Sequence, residues 1–148
     1  DADSAPIAAV SIETLVPVSG EDNGVDVEAG LYLSKAVGGN DGKHQLHLNV
    51  LGYFDNAAES DERDLRYTAI AGYSCQVTPK TSLVADVVRE QLDDHKENAN
   101  ILELGTKHEF NETVAGAIGV GAGLGEDSPD FTVHAGISFR FGSKRQHG

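Results

Sequence analysis

Residues 130–141 read DFTVHAGISFRF, and this stretch decides the fold. Apolar side chains occupy every second position from Phe131 to Phe141, and the positions between them carry polar side chains or glycine. Successive side chains of a β-strand point to opposite faces, so the alternation predicts a strand with one apolar face and one hydrogen-bonding face. The segment is long enough to cross a bilayer as a tilted strand. This pattern points toward an outer membrane.

The same alternation recurs along the rest of the chain and predicts eight strands. Toward the C-terminus, turns of two or three residues alternate with longer polar loops, as in transmembrane barrels, whose short turns are periplasmic. We therefore predict an all-β, antiparallel up-and-down β-barrel of transmembrane type over residues 1–141, with both termini periplasmic and residues 142–148 as a disordered tail. The predicted strands are residues 7–18, 25–37, 44–54, 64–77, 81–91, 100–110, 113–124 and 130–141.

Composition excludes several classes of protein. The formal net charge of -13 argues against nucleic-acid binding, which needs clustered Lys and Arg. No run of about 18 apolar residues occurs, so the sequence predicts no transmembrane helix. The single cysteine, Cys75, can form no internal disulfide, and we interpret it as a small hydrophobe on the apolar row.

Patterns for catalysis and for metal binding are absent from the sequence. His134 and Ser138 share a strand face, but four positions along a strand separate their Cα atoms by about 13 Å, too far for a nucleophile and its base. No nucleophile elbow, zinc-binding helix motif or phosphate loop is present. His44 and His47 fall on opposite faces of one strand. We predict no enzymatic activity, no catalytic residue, no metal and no cofactor.

The polar row predicts the lining of a barrel lumen. Because charges removed from water need partners, we expect Arg66, Lys107 and Arg140 to be held in carboxylate networks. Acidic residues outnumber basic ones in this row, and in an open pore the surplus would favour cations or neutral solutes over anions. Purely structural ion pairing is the alternative interpretation. The predicted lumen-lining residues are Glu13, Glu28, His47, Asn49, Arg66, Asp86, Glu103, Lys107, His134 and Arg140.

The apolar row predicts the surface that meets lipid. Tyr73, Phe110, Phe139 and Phe141 lie near the predicted periplasmic rim, where transmembrane barrels carry an aromatic girdle. On the opposite face of the strand over residues 115–123, alanine and glycine leave space for a solute or for large facing side chains. The predicted lipid-facing residues are Leu46, Leu48, Ile118, Val120, Val133, Ile137, Phe139 and Phe141.

Several motifs carry a resemblance to a known family. The segment ANILELGTKHEFNETVAGAIGVGAGLGEDSPDFTVHAGISFRF, with LYLSKAV and HQLHLNVLGYF upstream, resembles the C-terminal part of bacterial outer-membrane barrels of the transporter-like "meta-pathway of phenol degradation" family. The resemblance implies passage of small, often hydrophobic, molecules across the outer membrane of a Gram-negative cell. Members are usually longer, so a fragment or a processed chain is one interpretation.

Two functions follow from these patterns. The first is a porin-like outer-membrane barrel, a passive channel or transporter for small molecules, with lipid and a solute as partners and a homo-oligomer as a further candidate. If eight strands close, side chains fill the interior and the barrel is a plugged, structural one. The alternative is a soluble, lipocalin-like barrel that binds a hydrophobic ligand. The alternation leaves both open, because it does not say which face points outward.

Overall fold

The computed structural model describes residues 5–15, 25–38, 43–55, 62–94 and 96–140. These residues form eight β-strands joined by turns and loops. Among them, no helix is long and apolar enough to cross a membrane. The strands are β1 (Ile7–Leu15), β2 (Asp26–Val37), β3 (His44–Phe54), β4 (Leu65–Thr78), β5 (Thr81–Gln91), β6 (Asn98–Glu109), β7 (Val114–Gly123) and β8 (Phe131–Phe139).

The all-β class and the eight antiparallel strands confirm the prediction. Where both ends of a predicted strand fall on described residues, the observed ends lie within two residues of them. The largest such difference is at the start of β6, which begins at Asn98 because this residue still pairs with Gln91. Residues 16–18 of the first predicted strand, Phe141, and the predicted tail over residues 142–148 lie outside the described residues.

Every strand pairs with its neighbours in the sequence, in the order β1-β2-β3-β4-β5-β6-β7-β8. Local chemistry explains the short turns between them. In the turn before β7, the Asn111 side-chain oxygen accepts hydrogen bonds from the backbone N–H groups of Thr113 (2.8 Å) and Val114 (2.9 Å). In the turn before β5, the backbone N–H of Lys80 donates to Thr78 Oγ1 at 3.2 Å. Such side-chain bonds make these residues favourable in tight turns.

The sheet curls into a half-barrel and stays open. Within the described residues, β1 and β8 do not pair, and the backbone of each strand lies beside only the backbones of its sequence neighbours. The predicted closure into an eight-stranded barrel is therefore not observed within the described residues. An eight-stranded barrel is only just wide enough for its own side chains. Here the inner face carries polar side chains that reach across a whole intervening strand.

The hydrophobic core is very small. The only buried hydrophobic residues in the described ranges are Val88, Ala99 and Ile101, with Ile70 and Leu92 packed against them. By contrast, 25 large hydrophobic side chains in the same ranges are exposed. Soluble monomers rarely expose contiguous apolar surface on that scale. We therefore expect the outer side of this sheet to contact something other than water.

Candidate functional site

One uninterrupted apolar row crosses the whole sheet. Paired residues on neighbouring strands share a face, so the strand register identifies each row. This row, which we call the apolar belt, occupies the outer face, and every member from its first residue to its last is apolar. Its members are Ala8, Leu33, Leu48, Ala71, Val87, Leu102, Ala122 and Phe131.

The next row on the outer face is also apolar from β3 to β8. It joins Leu46, Tyr73, Ala85, Leu104, Val120 and Val133. Seven of the eight predicted lipid-facing residues lie on this face, and all seven are exposed, from Leu48 at 44% to Ile137 at 69%. The eighth, Phe141, lies outside the described residues. That lipid covers this face stays a prediction.

Exposed aromatic side chains mark both ends of the outer face. On β8, Phe131 and Phe139 stand eight residues apart, about 26 Å along the strand. Transmembrane barrels likewise carry aromatic residues at both interfaces of their apolar band. Phe54 and Tyr67 join Phe131 at the long-loop end. Sequence reasoning missed this second aromatic cluster, although its members stand at strand ends beside long loops.

Charged side chains on the outer face keep to the strand ends. In the described strands this face carries two charged residues, Lys35 and Arg89, each two positions from the end of its strand. Arg89 Nη1 donates to Asn100 Oδ1 at 3.0 Å, and Arg89 Nε lies 3.4 Å from the Tyr67 hydroxyl. At the opposite end, the His44 imidazole hydrogen-bonds the Tyr73 hydroxyl. The middle of the outer face is left without charge.

The inner face carries a polar line across β3 to β8, which we call the histidine–carboxylate row. His47 Nε2 lies 2.8 Å from Asp86 Oδ1, and His134 Nε2 lies 2.9 Å from Glu103 Oε1. Asp86 and Glu103 stand directly opposite each other on β5 and β6. Like charges placed opposite each other destabilise a strand pair. Each carboxylate is therefore approached by a histidine from its other side.

A glycine makes the pair between His47 and Asp86 possible. His47 is on β3 and Asp86 on β5, and the residue between them on β4 is Gly72. A Cβ atom at Gly72 would collide with the Asp86 carboxylate and with the His47 ring. β4 therefore lacks a side chain at the point where these two polar groups meet.

A second polar cluster lies toward the long-loop end of the inner face. The Arg66 guanidinium stacks over the Tyr53 ring at 4.4 Å and forms an ion pair with Asp93. The Tyr53 hydroxyl donates to Asp26 Oδ2 at 2.7 Å. Arg66 thus lies in a carboxylate network, although its partner is a loop residue that was not among the predicted lining. Lys107 and Arg140 form no ion pair with any described residue.

The register places nine of the ten predicted lumen-lining residues on the inner face. The tenth, Arg140, is the residue directly after β8, and continuing the alternation of β8 by one position assigns it to the inner face as well. A groove of about 420 Å³ lies beside the histidine–carboxylate row, with Gly105 and Gly119 on its floor and Asp86, Glu103 and His134 around it. The groove is open and its lining is mostly apolar, with Asp86, Glu103, Lys107 and His134 as its charged or titratable members. That the inner face lines a pore stays a prediction.

Comparisons with known proteins add no relative to this description. The chain matches no family model, and neither the search of curated proteins nor the search of solved structures finds a match. The resemblance to the transporter-like outer-membrane family therefore stays a prediction.

Proposed function

We propose that this chain forms the wall of an outer-membrane β-barrel through which small molecules pass passively. One observation carries the proposal: the apolar belt runs across all eight strands on the exposed face of the curled sheet. Contact with lipid is favourable for such an apolar face, and contact with water is not. In a bacterial outer membrane, the short turns and both chain ends would lie on the periplasmic side, and the acidic loops would face outward.

The arrangement of the two faces supports this function over a soluble carrier. A lipocalin-type barrel turns its apolar row inward around a greasy ligand. Here the apolar row is the exposed one, and the inner face carries the histidine–carboxylate row. The buried apolar cluster on the inner face is small and consists of Val88, Ala99 and Ile101.

The inner face supports a polar solute, neutral or cationic. Arg66, Lys107 and Arg140 are outnumbered on this face by seven acidic residues of the strands, which are Glu13, Asp26, Glu28, Asp86, Glu90, Glu103 and Glu109. Rings and rows of carboxylates favour cations in a pore. The groove floored by glycines leaves room for a solute beside Asp86 and Glu103. A small molecule could therefore pass along this face while side-chain oxygens replace the water molecules that hydrate it.

Neighbouring residues of β7 provide a direct test, because the chain contains no tryptophan. Ile118 lies on the outer face and Ala117 on the inner face, so Ile118→Trp and Ala117→Trp are matched single-probe variants. In vesicles of brominated phosphatidylcholine we expect strong fluorescence quenching for the Ile118→Trp protein. We expect little for the Ala117→Trp protein, which aqueous acrylamide should quench instead. Equal quenching by bromolipid, or none in either variant, would contradict the proposal.

A further inference from the structure

The two edges of the half-barrel are open in the described residues, and few of their side chains would prevent pairing with a further strand. Among these residues, β1 and β8 each have one unpaired side of backbone N–H and C=O groups. Soluble proteins usually protect such edges with lysine, proline or a bulge. β8 contains neither lysine nor proline and keeps a regular register, and the only charge in β1 is Glu13. Ile7, Val10 and Ile12 on β1 are all more than 70% exposed.

We propose that a second copy of this chain closes the barrel, with β8 of each copy paired to β1 of the other. Two sheets of eight strands then form one barrel of 16 strands. This inference rests on the proposed function, because it supplies the missing half of the pore. Barrels of that size enclose a water-filled channel, whereas eight strands leave an interior that side chains fill.

The direction and length of the two edge strands fit this closure. Seven antiparallel steps separate β1 from β8, so these strands run in opposite directions. A copy turned by half a revolution about the barrel axis therefore brings its β1 antiparallel to β8. Both edge strands are nine residues long. The contact is head-to-tail, and such contacts form closed rings when the rotation closes, as a half revolution does.

A register of the seam that places Phe139 opposite the partner's Ala8 keeps both faces continuous. When Phe139 lies opposite the partner's Ala8, Ile137 lies opposite the partner's Val10, and apolar side chains meet on the outer face. On the inner face, His134 then lies opposite the partner's Glu13. The His134 side chain is 61% exposed, and only its Nε2 is occupied, by Glu103. The partner's carboxylate would supply a neighbour of complementary charge to the imidazole.

The same register gives the strand tilt that a membrane barrel requires. The row through Ala8 reaches β8 at Phe131, whereas Phe139 would pair with the partner's Ala8, so each copy advances the row by eight residues over eight strands. An advance of about 3.3 Å for each 4.8 Å sideways step is a tilt of about 35°. Transmembrane barrels tilt their strands by about 35–45°. An advance smaller by two residues would give about 27°, outside that range.

Disulfide trapping between two separately labelled chains tests the seam. In a Cys75→Ser background, chains carrying Ala8→Cys are mixed with chains carrying Phe139→Cys, refolded into lipid vesicles and oxidised. Directly opposite residues of an antiparallel pair have Cα atoms about 4.5–5.5 Å apart, which a disulfide spans. We expect a covalent dimer in the mixture. As the matched control, Ala9→Cys points to the other face and should give about tenfold less dimer with Phe139→Cys.

The outcomes separate this inference from the proposed function. Suppose that the mixture yields no more covalent dimer than the control, while bromolipid still quenches the Ile118→Trp protein. That result would overturn the closure by a second copy, but the proposed outer-membrane function would remain supported. A chain carrying both Ala8→Cys and Phe139→Cys that forms its bond within a monomer would also overturn it, since one copy would then close alone. Absence of bromolipid quenching would overturn both proposals.

Discussion

At the scale of single residues, a glycine decides which polar groups can meet. Gly72 leaves the gap through which His47 reaches Asp86 at 2.8 Å. We expect Gly72→Ala to break this contact and to lower the free energy of unfolding by about 1.5–3 kcal/mol, as for hydrogen bonds to charged groups. Unfolding by urea in lipid vesicles measures the loss.

Gly136 provides the matched control for this change. It also lies on the inner face, but a Cβ atom there would meet nothing within 4 Å. Gly136→Ala should therefore leave the urea midpoint nearly unchanged. If both variants lost the same stability, the general strand preference of alanine and glycine would explain the effect, and the gap at Gly72 would not.

The pairing of His47 with Asp86 also shows what the sequence could not predict at this scale. Alternation placed both residues on the polar row, but it did not indicate which of the row's charges would meet. The meeting depends on the register of two consecutive strand pairs and on the missing side chain at Gly72. For the same reason, Asp93 was not foreseen as the partner of Arg66, because a loop residue has no place in a period-two pattern.

At the scale of elements, each strand is an alternating segment, and in some strands the outer positions become more polar toward the ends. β6 illustrates this, with Leu104 near its centre and His108 one residue from its end. We expect Leu104→Arg to cost about 2–4 kcal/mol, because a cation on the lipid face is least stable at the bilayer midplane. His108→Arg, on the same face near the interface, should cost only about 0–1 kcal/mol.

Denaturant unfolding of both β6 variants in vesicles of one lipid composition gives the two costs side by side. If water covered this face, both variants should change stability little, because arginine on a water-exposed strand face is tolerated. Equal and small effects at Leu104 and His108 would therefore count against lipid on this face.

Strands themselves were the most predictable feature of this chain, because alternation is a local property of the sequence. β3 and β5 begin and end at the predicted residues. Curvature is different, since it depends on how strongly each strand pair twists and on what fills the inner face. The barrel was predicted from the alternation and from the pattern of short turns and longer loops, and the gap between β1 and β8 in the described residues shows that these local features do not determine how far the sheet curls.

At the scale of the whole molecule, charged side chains are distributed unequally between the two faces of the sheet. The outer middle is free of charge, and the inner row carries a surplus of carboxylates around Asp86 and Glu103. A pore lined in this way lowers the energy of a cation and raises that of an anion. The whole assembly should therefore conduct potassium in preference to chloride.

Planar bilayers with a salt gradient measure this preference as a reversal potential. We expect a cation-selective value for the unmodified protein, and a value closer to zero for the double variant Asp86→Asn with Glu103→Gln, which removes two carboxylates from the histidine–carboxylate row. Arg89→Gln is the control, because Arg89 lies on the outer face and its loss should leave the reversal potential unchanged. An anion-selective pore, or equal shifts in both variants, would mean that the inner face described here does not line the conducting path.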